Sequence, residues 1–442
     1  MRALEIKIFH TNDIHSHLYN YLKIMNFLKN KKEQYGGSML YVDIGDHVDR
    51  SHPYTEATLG KGNVELLNEA GCDVATIGNN EGITLEKNDL KTLYEDADFD
   101  VICSNLKEPE ADVPFFNPYT IKEVNGIKIG FVAATVEFTP FYRALGWEVS
   151  DAFDWIMRAV EEVKDQVDCL IMLSHLGKYD DETLAMMFPE FDVILSSHTH
   201  HHFLNGDVVG NTLIGAAGRF GDYIGEVTLT FDGRKLTGSK ARLTESDLLA
   251  NVDDQYYDIG KFMLESQIVK DNMGQIPRTL YRPGRFISTL AEMLREFTES
   301  DAGIVHTGLI AKAFEGGTLT EYDLHKVLPH PINAVQIELT GRELKEVFNQ
   351  AARHEFKDEV VRGMGFRGDI FGTFVTDNIG CIQSERAYYV GGVPIDERKI
   401  YTLGTLDMYT FGRIFPQFKT ARKKYIMPDF LRDIVRKYSE KL

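Results

Sequence analysis

Five short stretches rich in metal-ligand side chains follow apolar runs, one after another, and this pairing constrains the fold more than any other feature. Asp13-Ile14-His15 follows the run at 4–10, and Asp43-Ile44-Gly45-Asp46-His47 follows Met39-Leu40-Tyr41-Val42. Gly78-Asn79-Asn80-Glu81, Ser174-His175 and Ser197-His198-Thr199-His200 follow later runs. A short apolar run bounded by turn signals reads as a buried strand. In open α/β sheets, ligands collect beyond the carboxyl ends of the strands. Taken singly, each of these residues reads as a capped turn or a satisfied histidine. In this order they read as one built site, with Asp46 as the carboxylate that can touch two ions.

The periodicity between them alternates strand and helix. Strands are expected at 4–10, 39–43, 73–77, 100–104, 167–173, 192–196, 212–216, 223–231 and 235–243. Helices are expected at 18–34, 62–70, 152–166 and 180–188, and Asn125-Gly126 turns a hairpin over 119–133. Such alternation implies an α/β layered domain. Residues 245–272 are polar, then helical, and read as a connection. Beyond them lie expected helices at 286–297, 320–327, 341–351 (capped by Thr340) and 428–441. Strands are expected there at 303–306, 334–339, 386–391 and 400–406. This second domain carries no metal-type cluster, so substrate recognition is its expected task.

Bulk composition excludes several classes. The 442 residues suit two or three domains. With 48 basic and 67 acidic residues the net charge is −19, which argues against a general nucleic-acid binder. No run approaches the ~18 apolar residues of a membrane span. The start of the sequence shows neither an apolar targeting core nor a small-residue cleavage site. Cys72, Cys103, Cys169 and Cys381 form no CxxC pair and read as buried reduced thiols. A reducing cytoplasm is the expected location, with no membrane and no nucleic acid as partner.

Carboxylates, imidazoles and one amide suit borderline ions such as Mn²⁺, Fe²⁺, Zn²⁺ or Ni²⁺. Two such ions roughly 3.5–4 Å apart orient a hydroxide for in-line attack on phosphorus and neutralise the phosphoryl oxygens. No Gly-x-Ser-x-Gly and no cysteine in a histidine-rich context offers a protein nucleophile. Asp13-Ile14-His15, Gly45-Asp46, Gly78-Asn79, His175 and His198-Thr199-His200 resemble the calcineurin-like metallophosphoesterases. More narrowly, Thr11–His17, Ala217–Tyr223 and Val335–Phe348 resemble the two-domain 5′-nucleotidase, UDP-sugar hydrolase and 2′,3′-cyclic nucleotide phosphodiesterase branch.

That resemblance implies a four-layer α/β/β/α sandwich over 1–244, a linker helix over 245–278 and a smaller α+β substrate domain over 279–442. It implies two divalent transition ions. Asp13, His15, Asp46 and His200 would hold one, and Asp46, Asn79, His175 and His198 the other.

The sequence also departs from that branch. The third motif of the branch reads Gly-Asn-His-Glu-x-Asp; here Asn80 and Ile83 replace the His–Asp pair. An amide donates a hydrogen bond but supplies no proton, and such help is typically worth ~10²–10⁴ in rate. Asn80 is therefore read as the residue at the acid position. His47 is the first candidate to supply the proton, followed by His52 and His17, while His201 and His202 read as outer residues. The substrate loop His306–Ala311 lacks the branch's arginine. Arg362 and Arg367 are its expected replacements, ahead of Arg282 and Arg285. His330, Tyr409 and Phe411 are the rings expected against a base.

The expected activity is a dinuclear-metal phosphohydrolase acting on a nucleotide or a related small phosphate ester, by attack of a metal-bound hydroxide. Two alternatives stay open. One is a pyrophosphohydrolase on a dinucleotide or nucleotide-sugar; the other is a metal-loaded nucleotide-binding protein with weakened catalysis.

Overall fold

The apolar positions of Leu4–Thr11 place Ile6, Ile8 and Phe9 fully inside, and this segment is strand β1. The computed structural model describes residues 4–271, 283–314, 317–353, 363, 365–368, 370–382 and 387–442. In it β1 lies within a six-stranded sheet. Parallel strands continue from it in order: β2 (Met39–Asp43), β3 (Val74–Thr76) and β4 (Asp100–Ile102).

A second six-stranded sheet comprises β5 (Tyr119–Val124), β6 (Ile127–Thr135), β7 (Cys169–His175), β8 (Val193–Ser196), β9 (Asp207–Val209) and β10 (Thr212–Ala216). Its central strands β6, β7, β8 and β10 are parallel neighbours. Then β11 (Tyr223–Asp232) returns antiparallel to β1, and β12 (Lys235–Glu245) follows it at the edge of the first sheet.

The two sheets face each other. Ile6, Val42 and Leu229 of the first share one core with Phe131, Ile171 and Leu195 of the second. Outside the second sheet, Ile156 and Val160 of helix Ala152–Val163 and Leu184 of helix Lys178–Met187 pack on Val132, Met172 and Ile194. Outside the first, helix Leu18–Tyr35 buries Tyr21, Ile24 and Leu28, and Phe27 meets Phe9 edge-on at 5.8 Å. The result is helix, sheet, sheet, helix. Because both sheets are parallel at their centres, the carboxyl ends of β1, β2, β3, β7 and β8 carry the five stretches singled out above.

The chain divides into two units, Met1–Gly260 and Lys261–Leu442. The division falls within helix Tyr256–Glu265, which ends before strand Ile268–Lys270, so the connection is shorter as a helix than its pattern suggested.

The second unit is an α+β body. Its five-stranded sheet runs Phe374–Asp377, Ala302–His306, Ile400–Leu406, Asn333–Thr340, Arg422–Phe430. Helices Pro283–Phe297, Gly341–Ala351 and Leu431–Lys437 share its core through Leu290, Leu344 and Ile434. Thr340 and Glu343 form a reciprocal capping box, which fixes where Gly341–Ala351 begins.

One expectation is corrected here. The C-terminal helix does not span 428–441. Residues 422–430 pair with Asn333–Glu338 as an edge strand, and the helix begins at Leu431. Pro428 lacks an N–H, which an edge strand tolerates and a helix interior does not. Among the described residues, no helix is long and apolar enough to cross a membrane.

Candidate metal centre

The loop after β1 continues the pairing of β1 with β2. After β1, Asp13 N–H donates to Gly45 O at 3.0 Å, His15 N–H to Asp46 O at 2.8 Å and Ser16 N–H to His47 O at 3.0 Å. The loops after β1 and β2 are thus stitched together. This requires left-handed backbone at Asp13 (φ 51°), His15 (φ 46°) and Asp46 (φ 52°), and His198 and His200 share it at 69° and 56°. Five of the seven expected ligands are therefore held in a conformation that non-glycine residues seldom adopt. Such strain concentrates at functional sites.

Two glycines admit the close approach of loops. A Cβ on Gly45 would lie 2.3 Å from Gly78 N, and one on Gly78 would lie 2.1 Å from Asp46 Oδ1. Glu81, fully buried, ties the same loops together. Its carboxylate accepts from Asp46 N (3.0 Å), Gly78 N (2.8 Å) and Val48 N (2.9 Å).

The side chains then converge. Asp46 sits between two imidazoles, Oδ2 3.6 Å from His15 Nε2 and Oδ1 3.4 Å from His175 Nε2. Asp13 Oδ1 lies 3.4 Å from His200 Nε2 and 3.9 Å from His15 Nε2. Among the described residues, two groups have the compactness a metal ion needs: Asp13, His15 and His200, and Asp13, Asp46 and His175, each with ligand atoms within 4.8 Å of one another. Asn79 Oδ1 and His198 Nδ1 meet at 2.9 Å, and the His198 ring is 5.4 Å from that of His175.

The outer contacts orient these ligands. His175 Nδ1 bonds Ile44 O at 2.7 Å, which fixes the proton there and turns Nε2 towards Asp46. That Nε2 is buried and has no hydrogen-bond partner among the described residues. His15 Nδ1 faces Asp49 Oδ2 at 3.5 Å on the side away from the cluster, and its Nε2 faces the cluster. Asp13 Oδ2 is steadied by Ser197 Oγ and Asn12 Nδ2, at 2.7 and 2.8 Å. A buried imidazole nitrogen aimed at a buried carboxylate, with no donor between them, is a donor set that a cation completes.

Charge follows the same logic. Burial pushes Asp13 and Asp46 upward, but the surrounding histidines outweigh it and hold both carboxyls below their ordinary range. Burial lowers His175, yet Asp46 and Asp13 outweigh it and raise it to about 10. Burial, reinforced by the charge of His175, takes His198 down to about 4. The cluster therefore keeps two ionised carboxylates and attracts positive charge.

The two residues expected to act on the leaving group lie elsewhere in this network. The Asn80 amide donates to Val48 O at 3.1 Å and meets His15 Nδ1 at 3.0 Å, so it braces a ligand. His47 is corrected as the acid. Burial lowers it to about 3, its ring edges Tyr21 at 4.4 Å, and its Nδ1 meets Asn63 Nδ2 at 3.2 Å. His52 caps helix Pro53–Thr58, and His17 stacks on Phe220. His201 meets Ser196 and Thr199, and His202 stacks on Tyr223.

In the second unit, burial corrects the expected base-stacking pair. His330 is 0% exposed, with Nε2 on Leu309 O and Nδ1 accepting from Arg367 N. Tyr409 is also 0% exposed, and its hydroxyl meets His306 Nδ1 at 2.5 Å among Phe371, Phe374 and Phe415. Neither offers a ring face to a ligand. Phe411 is 44% exposed. Arg367 is half-buried, with Nη1 on Phe366 O at 3.4 Å. Arg285 is exposed, while Arg362 and Arg282 lie outside the described residues. Cys381 is exposed, unlike the other three cysteines, which corrects its reading as a buried thiol.

Sequence reasoning passed over Glu81, Asp49 and Phe220 as parts of the site. Glu81 carried a signal, a carboxylate three residues after Gly78 in a loop-to-helix turn. Phe220 lies in a run noted above only for its resemblance.

Comparison with known proteins shows the family. Residues 6–202 match the calcineurin-like phosphoesterase family, and residues 265–420 match the 5′-nucleotidase C-terminal domain. The uncharacterized metallophosphoesterase YunD of Bacillus subtilis (strain 168) is 37% identical, across 98% of this chain and 98% of its own. A Staphylococcus aureus chain described as a 5′-nucleotidase, solved in complex with alpha-ketoglutarate, superposes with a TM-score of 0.72 at 17% identity. That match covers 99% of this chain and 97% of the other. The Haemophilus influenzae NAD nucleotidase has a TM-score of 0.62 at 16% identity, over 100% and 97%. The chain belongs to the calcineurin-like metallophosphoesterases, phosphoester hydrolases that use divalent metal ions, and its second unit is a 5′-nucleotidase C-terminal domain.

Proposed function

We propose that the chain hydrolyses a nucleotide or a related small phosphate ester on a dinuclear metal site. In this reading Asp13, His15, Asp46 and His200 hold one ion, and Asp46, Asn79, His175 and His198 the other. The ions are drawn from Mn²⁺, Zn²⁺, Fe²⁺ and Ni²⁺. The observation that carries the reading is the shared position of Asp46, one oxygen towards His15 and the other towards His175. When bound, two such ions lower the pKa of water and neutralise phosphoryl oxygens. The chain's own residues do the rest. Ile44 O and Asp49 turn His175 and His15, Glu81 fixes the Asp46 loop, and Asn80 braces His15. Phe411 and Arg367 are the residues proposed to meet the organic part of the substrate. Four free cysteines suit a reducing compartment, and the cytoplasm is the location proposed.

The test is phosphate release from a nucleotide panel and from p-nitrophenyl phosphate, with metal content measured on the same protein. Multiple turnover with about two ions per chain supports the reading. Tight nucleotide binding without turnover supports the binding-protein alternative instead. The placement of Asn80 and His47 favours a second reading, cleavage of a phosphoanhydride, because neither residue presents a proton to a poor leaving group. Release of a nucleoside monophosphate rather than a nucleoside distinguishes it.

A further inference from the structure

The run Ala217–Tyr223 supplies none of the ligands, yet it is built into the edge of the site. Phe220 holds φ 61°, a left-handed backbone rare for a bulky residue, and its N–H donates to Asp13 O at 2.7 Å. Its ring stacks on His17 at 3.9 Å and 25°, and meets His15 edge-on at 5.8 Å and His200 at 6.5 Å. The guanidinium of Arg219 lies 4.5 Å from the same ring. Arg219 forms no ion pair with any described residue; the Asp222 N–H donates to Arg219 O at 3.0 Å, and the Asp222 carboxyl feels the charge of Arg219.

Stacking uses the face of a guanidinium and leaves its N–H groups pointing outward in the plane, the geometry that grips phosphate or carboxylate. The guanidinium is thus no farther from the His15 imidazole than 4.5 Å and 5.8 Å laid end to end. That places it near enough for a second anionic group of a substrate whose phosphoryl group sits on the ligand set.

We propose that Arg219, seated on Phe220, binds an anionic group of the substrate lying beyond the phosphoryl group under attack. The proposal rests on the metal-dependent phosphohydrolase reading, in its phosphoanhydride form, and narrows it to substrates with a second anionic group, such as a nucleoside diphosphate. It assigns to the metal-binding unit a cation that the loop His306–Ala311 lacks.

The experiment compares Arg219→Ala and Arg219→Lys with the parent protein on ADP and on p-nitrophenyl phosphate. Binding of pyrophosphate and of orthophosphate is measured in parallel by calorimetry. The expected result is a KM for ADP raised about 10- to 100-fold in Arg219→Ala, as for loss of a charge-assisted hydrogen bond. The KM for p-nitrophenyl phosphate rises at least tenfold less, and Arg219→Lys recovers part of the loss. Pyrophosphate binding weakens more than orthophosphate binding. Equal effects on the two substrates, or no change in pyrophosphate affinity, overturn the proposal. If the parent protein hydrolyses neither substrate, the phosphohydrolase reading fails, and the calorimetry still decides the role of Arg219.

Discussion

His175 Nε2 lies 3.4 Å from Asp46 Oδ1, while its other ring nitrogen bonds Ile44 O at 2.7 Å. The backbone bond assigns the only proton of a neutral imidazole to Nδ1, so lone pairs face each other across the short gap. Such a pairing favours a cation between them, and the charges of Asp46 and Asp13, which outweigh burial, raise His175 to about 10. Metal binding at this nitrogen competes with protonation. His175→Ala is expected to lower metal affinity at least tenfold, read by competition with a chelator. Unchanged retention would place the ion elsewhere.

Gly78 is where the loop after β3 touches the Asp46 carboxylate. A methyl group there would meet Asp46 Oδ1 at 2.1 Å and His175 Cε1 at 2.5 Å, so Gly78→Ala must push one of them away. The expected outcome is a folded protein that has lost most of its bound metal and its turnover. Full metal content in Gly78→Ala would show that the carboxylate is free to move.

Glu81 satisfies three backbone N–H groups of the ligand loops. Each buried donor left unsatisfied costs about 1–3 kcal/mol. Glu81→Ala is therefore expected to destabilise the first unit by at least about 3 kcal/mol, measured by denaturant unfolding. A loss under about 1 kcal/mol would mean that water replaces the carboxylate without cost.

In the second unit, burial raises Asp407 to about 7 although Asn333 N–H and Met408 hydrogen-bond it. A carboxyl whose folded pKa exceeds its unfolded value binds more protons when folded. Stability is then greatest below the unfolded value of 3.8, falls as pH rises to about 7 and stays lower above it. The difference is of order 4 kcal/mol. Asp407→Asn should flatten the thermal midpoint of the second unit across that window. An unchanged slope would assign the dependence to other groups.

Much of this arrangement is legible in sequence because metal ligands and strand ends are both local features. Asp13, Asp46, Asn79, His175, His198 and His200 announce themselves by following apolar runs. What escapes is tertiary. His330 and Tyr409 look like loop aromatics, and only packing against Leu309, Phe371 and Phe415 makes them core residues. Arg422, Lys423 and Lys424 look like a charged connection, and only pairing with Gln336, Ile337 and Glu338 makes them an edge strand, where such charges deter further pairing. The positive φ of Phe220 leaves no mark in the residue itself, so its place beside His15 appears only in three dimensions.

The measurement that bears most directly on the central claim is Asp46→Ala, assayed for phosphate release and metal content together. If Asp46 bridges two ions, the variant loses turnover by several orders of magnitude and holds fewer than the roughly two ions of the parent chain. A variant that keeps both its metal and its turnover would contradict the dinuclear account.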